Sequence, residues 1–173
     1  YRNIAHKNFA QNILIGDVLI RNGLVEVSED GFFEIDGKRI FVSETFVEGV
    51  ECDLYVLAKN RYYAMNTYKN FVDEIKPNTD FIYVNALGMA DANIYAGGSF
   101  AKNANGELVM QMPLCKEDVD TIDFSRIVEF CDEPVEAQVF DVTTFALREY
   151  CENTGFKKVV LGLSGGIDSA LTV

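Results

Sequence analysis

The segment Val159-Val160-Leu161-Gly162-Leu163, followed by Ser164-Gly165-Gly166-Ile167-Asp168-Ser169, constrains the fold more than any other. Its apolar run reads as a buried strand, and the glycine pair after it as a tight loop. Ala170-Leu171-Thr172 can then begin a helix, whose N-terminus favours negative charge. Upstream, Val139, Val142, Ala146, Leu147 and Tyr150 recur at helical spacing on one face. Gly155 is the natural residue just past that helix, where positive φ carries no Cβ penalty. Helix, strand and glycine loop in this order open a parallel α/β domain. One strand cannot make a sheet, so the first piece of such a domain is expected here, without the rest.

The loop also carries chemistry. Glycines let backbone N–H groups approach an anion closely. Ser164 and Ser169 add hydroxyl donors, and Asp168 can hold Mg²⁺ against phosphate oxygens. No Gly-Lys-Ser/Thr follows, so this is not a Walker A loop, and the three-glycine dinucleotide spacing is absent. The plain alternative is a strand-to-helix turn that uses two glycines. The additional polar positions favour phosphate binding.

The region from Tyr1 to about Met112 is rich in strand signals. Phe32–Ile35, Asp36-Gly37 and Lys38–Val42 read as a hairpin, because Asp-Gly suits a two-residue type I′ turn. Leu54–Ala58 and Phe81–Val84 are buried-strand runs. Between them, a helix is predicted from Tyr62 to Ile75, stopped by Pro77. Ser99–Met112 reads as a second hairpin turning near Asn105-Gly106. Lys116–Pro134 holds seven acidic and two basic residues without sustained periodicity, and reads as a linker.

Composition removes several function classes. Of 173 residues, 49% are hydrophobic and 24% charged, a globular balance that argues against disorder and coiled coil. A net charge of -12, from 15 basic and 27 acidic residues, argues against a nucleic-acid surface. No apolar run is long enough to span a membrane, and the start shows no signal-peptide pattern. Without an initiator Met, the N-terminus looks cut. Cys52, Cys115, Cys131 and Cys151 lie far apart with no Cys-x-x-Cys, which argues against zinc and disulfides and for a reducing cytoplasm. His6 alone excludes a multi-histidine site from this chain.

Ser-Gly-Gly-x-Asp-Ser resembles the pyrophosphate loop of ATP pyrophosphatases, and the longer run Val159–Leu171 resembles NAD⁺ synthetase. Gly97-Gly98-Ser99-Phe100 and Asn103–Val109 resemble the late hairpin of nitrilase-type amidases. Tyr83-Val84-Asn85, Gly88 and Asp91 resemble the glutaminase domain of glutamine-dependent NAD⁺ synthetases, which has the same domain order. The resemblance implies an α/β fold. The later part of a nitrilase-like αββα sandwich would span residues 1–115, and an acidic linker 116–134. The start of a Rossmann-like synthetase domain, of the adenine-nucleotide alpha-hydrolase type, would span 135–173. It also implies ATP and Mg²⁺ as cofactors and deamido-NAD⁺, ATP and glutamine or ammonia as substrates. A cytoplasmic homo-oligomer that binds neither nucleic acid nor membrane is expected.

Ser164, Gly165, Gly166, Asp168 and Ser169 would then cradle pyrophosphate, with Asp168 on the metal. Nitrilase-type glutaminases use a Glu–Lys–Cys triad, in which thiolate attacks the amide and Lys stabilises the oxyanion. Ser43, at the end of Arg39–Val42 and before Glu44, stands at the nucleophile position. Lys7 fits the lysine, and the glutamate would lie upstream of Tyr1. Ala58-Lys59-Asn60-Arg61 departs from the family's Asn-Ala-Ser-Pro, and the stretch from Ser43 to Asn85 is shorter than the pattern. A hydroxyl needs a stronger base than a thiol, so the glutaminase site is expected to be inactive. The isolated chain is expected to lack synthetase activity, because the loop Ser164–Ser169 is without the sheet and base pocket that would hold it and ATP. Cys52 is the rival nucleophile, but it precedes a strand instead of ending one. The alternatives are a non-catalytic nitrilase-like binding or oligomerisation module, and another ATP pyrophosphatase.

Overall fold

The computed structural model describes residues 31–173 apart from Asp91. Lys7, His6 and Asp91 therefore lie outside the described residues. Six strands form one mixed sheet: β1 (Phe32–Ile35), β2 (Lys38–Ser43), β3 (Leu54–Ala58), β4 (Asp80–Val84), β7 (Phe100–Lys102) and β8 (Leu108–Gln111), in that spatial order. β2, β3 and β4 run parallel, and the pairs at both edges are antiparallel. A separate hairpin joins β5 (Leu87–Ala90) to β6 (Asn93–Ala96). The helices are α1 (Tyr68–Glu74), α2 (Val135–Thr154) and α3 (Ile167–Thr172).

Both predicted hairpins form. Asp36 and Gly37 have φ of 50° and 73°, as a type I′ turn demands. Phe33 pairs with Ile40 and Ile35 with Lys38 across it. β7 and β8 pair across Asn105-Gly106, with an irregularity at Ala101/Lys102.

The central strands are buried because each sheet face is apolar. Phe41, Tyr55, Leu57, Phe81, Tyr83 and Phe100 share one face, where Val72 and Ile75 of the α1 region pack on them. Buried Lys102 closes the far end of that layer, its Nζ donating to Val72 O (2.6 Å) and Ile75 O (2.7 Å) at the end of α1. Alternate residues point the other way: Phe33, Val42 and Val56 are buried there, with Ile40, Leu54, Ile82 and Val84 half-covered. An open groove of about 1120 Å³ follows this second face, lined by Ile82, Val84, Met110, Met112 and Ile122.

Three sequence expectations need correction. Helix α1 begins at Tyr68, not Tyr62. Asn66 takes φ of 59° and Thr67 Oγ1 donates to Ala64 O (2.9 Å), so polar local bonding delays the helix. Val159–Leu163 forms no strand, and Val160 is fully exposed. A strand is stable only when paired, and none of the described residues pairs with it. The 20-residue helix α2 ends at Gly155 (φ 77°) as predicted, but its buried residues are Gln138, Val142 and Phe145. Leu147 and Tyr150 stand 55% and 48% exposed. The helix has two apolar stripes, and β5 and β6 receive only one.

Candidate functional site

Because β2, β3 and β4 are parallel, their C-terminal ends lie along one edge of the sheet. Ser43 is in register with Leu57, and Leu57 with Tyr83. The loops that follow Ser43, Ala58 and Val84 therefore converge, as at ligand-binding edges of parallel sheets. Ser43, Glu44, Arg61 and Asn85 all belong to this edge.

The Ser43 hydroxyl is committed locally. Its Oγ donates to Thr45 O (2.6 Å) and accepts from Thr45 N–H (3.1 Å). It also lies against the Tyr55 phenol. Tyr55 Oη donates to Thr45 O (2.9 Å) and accepts from Val47 N–H (2.9 Å), and burial pushes its pKa up. Among the described residues, no carboxylate, lysine or histidine bonds to Ser43 Oγ. The carboxylate of Glu44, its neighbour in sequence, has a buried Oε1 without a partner. An unactivated hydroxyl in a closed turn is a weak nucleophile.

Sequence reasoning paired Asn85 with a family pattern but missed its role. Its Oδ1 accepts from Arg61 N–H (2.9 Å) and Ala86 N–H (3.0 Å). Its Nδ2 donates to Arg61 O (3.1 Å) and Gly97 O (2.7 Å), and its backbone N–H donates to Ser99 Oγ (3.0 Å). One side-chain amide thus ties the loop after β3 to the Gly97–Ser99 turn. The usable sequence signal was its place directly after a buried strand, where loose backbone ends need partners. Arg61 stacks on Phe71, 4.7 Å from the ring centre, and donates from Nη2 to Thr67 O (3.2 Å). Close approach explains Gly98: a Cβ there would sit 2.7 Å from Leu114 Cδ2 and 3.0 Å from the Tyr68 ring.

Cys52 lies before β3, half-buried, with its pKa raised chiefly by burial. That thiol is the protonated, unreactive kind.

The glycine loop stands apart from this edge. Gly165 has φ of 83°, a left-handed conformation that requires glycine, and open space surrounds its Cβ direction. Ser164 Oγ and Ser169 Oγ are 3.1 Å apart. Ser169 Oγ donates to Gly166 O (3.0 Å), and Ala170 N–H donates to the same oxygen (3.1 Å). Two serines and two glycines therefore turn about one point at the start of α3. Asp168 is exposed in its first turn. Among the described residues, no group of three or more His, Cys, Asp or Glu side chains is arranged to hold a metal. Nor is any helix there long and apolar enough to cross a membrane. The structure brings Ser164, Gly165, Gly166, Asp168 and Ser169 together, and does not bring them to Ser43.

Residues 139–173 match the NAD synthase family. Glutamine-dependent NAD(+) synthetase of Acinetobacter baylyi is 36% identical over 103 residues, covering 56% of this chain and 19% of that protein. Its Synechocystis counterpart is 33% identical over 102 residues, covering 54% and 18%. The solved glutamine-dependent NAD+ synthetase from Acinetobacter baumannii, in complex with ADP, superposes with a TM-score of 0.68 at 29% identity. That match covers 82% of this chain and 31% of the other. The enzyme from Cytophaga hutchinsonii gives 0.65 at 19% identity, covering 82% and 25%, a likeness of fold alone. The chain thus spans about a fifth of the curated relatives' length and, in sequence and in fold, it resembles the glutamine-dependent NAD+ synthetases.

Proposed function

We propose that this chain is part of a glutamine-dependent NAD⁺ synthetase whose glutaminase site is inactive. The observation that carries the reading is the glycine loop Ser164–Ser169 within the stretch matched by the NAD synthase family, on the same chain as a mixed sheet of synthetase type. In this reading residues 1–115 are the later part of a nitrilase-like αββα sandwich, 116–134 a linker, and 135–173 the start of a Rossmann-like domain. The half-covered second sheet face supports a sandwich, since an apolar face needs an opposing layer.

The parent reaction would adenylate the nicotinate carboxylate of deamido-NAD⁺ with ATP, release pyrophosphate, and let ammonia displace AMP. Amides of Gly165 and Gly166, with the hydroxyls of Ser164 and Ser169, would bind the leaving pyrophosphate. Fixed N–H dipoles lower such a barrier because charge grows there. Asp168 fits Mg²⁺, which commonly takes one or two carboxylates together with substrate phosphates. The ion would neutralise charge on the departing group. Ser43 would occupy the nucleophile position and Lys7 the oxyanion lysine. Ser43's closed turn supports a second reading for the sheet alone, a non-catalytic binding or oligomerising module. A cytoplasmic homo-oligomer follows from the resemblance.

The test is NAD⁺ formation by the full-length parent from deamido-NAD⁺ and Mg-ATP, with ammonia or glutamine as nitrogen source. Ammonia should support synthesis and glutamine should not. Failure with both would overturn the synthetase reading. Efficient use of glutamine would overturn the inactive site.

A further inference from the structure

We propose that Gln111 is a positioning residue that straps segment 128–134, and through it the start of α2, to the sheet. Gln111 ends β8. Its Nε2 donates to Cys131 O (3.0 Å) and its Oε1 accepts from Cys131 N–H (2.8 Å). Those are the two bonds a neighbouring strand would exchange with Cys131, here supplied by one side chain. Three residues earlier, Val128 N–H donates to Leu108 O (2.9 Å), at the other end of β8. The acidic segment therefore runs beside the sheet's open edge, although it contains no strand.

Packing reinforces the strap. Phe130 reaches the main core cluster, 5.7 Å from the Tyr68 ring, with Lys69 Nζ 5.5 Å from its own ring centre. At the far end Gln138 Nε2 donates to Glu133 O (2.7 Å), and Gln138 N–H to Pro134 O (3.0 Å). Buried Gln138 begins the stripe that continues through Val142 and Phe145 onto β5 and β6. A continuous path of contacts thus joins Gln111 to the helix that precedes the glycine loop. Composition gave no hint of these contacts, because seven acidic residues without sustained periodicity read only as an acidic linker.

A native reporter follows directly on the Met112–Leu114 stretch that shares a pocket with Gln111, Cys131 and Glu133. Cys115 is half-buried, with Glu133 and Asp141 close enough to raise its pKa alongside burial, to about 11. Cys52, which precedes β3 beside Arg39 and Thr79 and packs on the same core cluster without a bond to the strap, serves as the internal control.

The experiment is timed iodoacetamide labelling of the 173-residue chain, with each cysteine resolved by peptide mass spectrometry. Gln111→Leu removes both bonds, and Gln111→Glu keeps only an acceptor. Losing two hydrogen bonds should raise Cys115 labelling about tenfold in Gln111→Leu, with Gln111→Glu between it and wild type and Cys52 unchanged. An unchanged Cys115 rate, or a parallel rise at Cys52, would overturn the proposal. The consequence for the loop rests on the synthetase reading. In the parent, Gln111→Leu should raise KM for ATP in ammonia-dependent synthesis about threefold or more while leaving kcat within about twofold. Exposure of Cys115 with an unmoved KM would overturn that link. A wild-type parent without NAD⁺ formation would refute the synthetase reading instead, and labelling alone would then decide the strap.

Discussion

Tyr55 and Tyr83 lie on the same face of adjacent parallel strands, each 1% exposed, and differ in what their hydroxyls meet. Tyr55 Oη bonds to both Thr45 O and Val47 N–H. In Tyr55→Phe, Thr45 O keeps its bond from Ser43 Oγ, but Val47 N–H loses its side-chain acceptor. Leaving one such donor unsatisfied should cost about 1–3 kcal/mol. Tyr83 Oη is buried without a partner. Tyr83→Phe removes a desolvated hydroxyl and keeps the ring contacts to Phe71 and Phe100. It should be neutral or stabilising by about 1 kcal/mol. The two variants should therefore differ by about 1–4 kcal/mol in urea unfolding at equal m-value. The chain has no Trp, so far-UV circular dichroism is the suitable signal. Tm should separate by roughly 2–16 °C. Equal destabilisation by the two substitutions would refute the hydrogen-bond argument and assign both effects to packing.

Burial raises the pKa of Tyr55, Tyr68 and Tyr83. Their stability contribution is complete below the ordinary tyrosine range and is lost as pH rises from there toward the raised folded values. Unfolding should therefore begin above about pH 10, and Tyr83→Phe should shift that limb upward in a pH titration of circular dichroism. Gly165→Ala meets no neighbouring atom but must hold a left-handed φ. It should leave Tm within about 2 °C while lowering the parent's ATP-dependent rate at least tenfold, and an unchanged rate would contradict the loop assignment. Ser43→Cys should leave glutamine-dependent synthesis at background in the parent, because a thiol also replaces a turn-forming hydroxyl and the Ala58–Arg61 loop remains altered. Recovery to within about tenfold of the ammonia rate would refute wider decay.

What the sequence made legible was set by local chemistry. Asp36-Gly37 and Asn105-Gly106 announce their turns because few residues accept positive φ. β3 and β4 are continuous apolar runs because parallel strands are covered on both faces. The β5–β6 hairpin escaped notice because Leu87-Gly88-Met89-Ala90 lacks β-branched residues and is only half-buried. Val159–Leu163 misled in the opposite direction, since strand propensity is local and strand pairing is not. At the candidate sites, the glycine loop was readable from residue order. The Asn85 and Gln111 contacts were not, because each joins segments 12 to 24 residues apart through a single amide.

Ser43 shows how one hydroxyl can be tied into the form of a strand end. A catalytic nucleophile needs a free lone pair, a base to take its proton, and room for the attacked carbon. Here the proton goes to Thr45 O, the oxygen accepts from Thr45 N–H, and Tyr55 holds the same carbonyl from the other side. These bonds fix loop 44–47 over the aromatic layer, where Phe46 stacks on Tyr55 with ring centres 5.6 Å apart. The position therefore contributes to the folding of this loop whatever its chemistry. Arg61 does the same on the next loop, held by Asn85 at its backbone and by Phe71 beneath its guanidinium. Both residues cross-bond the loops at the C-terminal ends of the parallel strands. The glycine loop, with Gly165 at a positive φ that only glycine adopts freely and open space around it, has the opposite character: a conformation that contributes no packing.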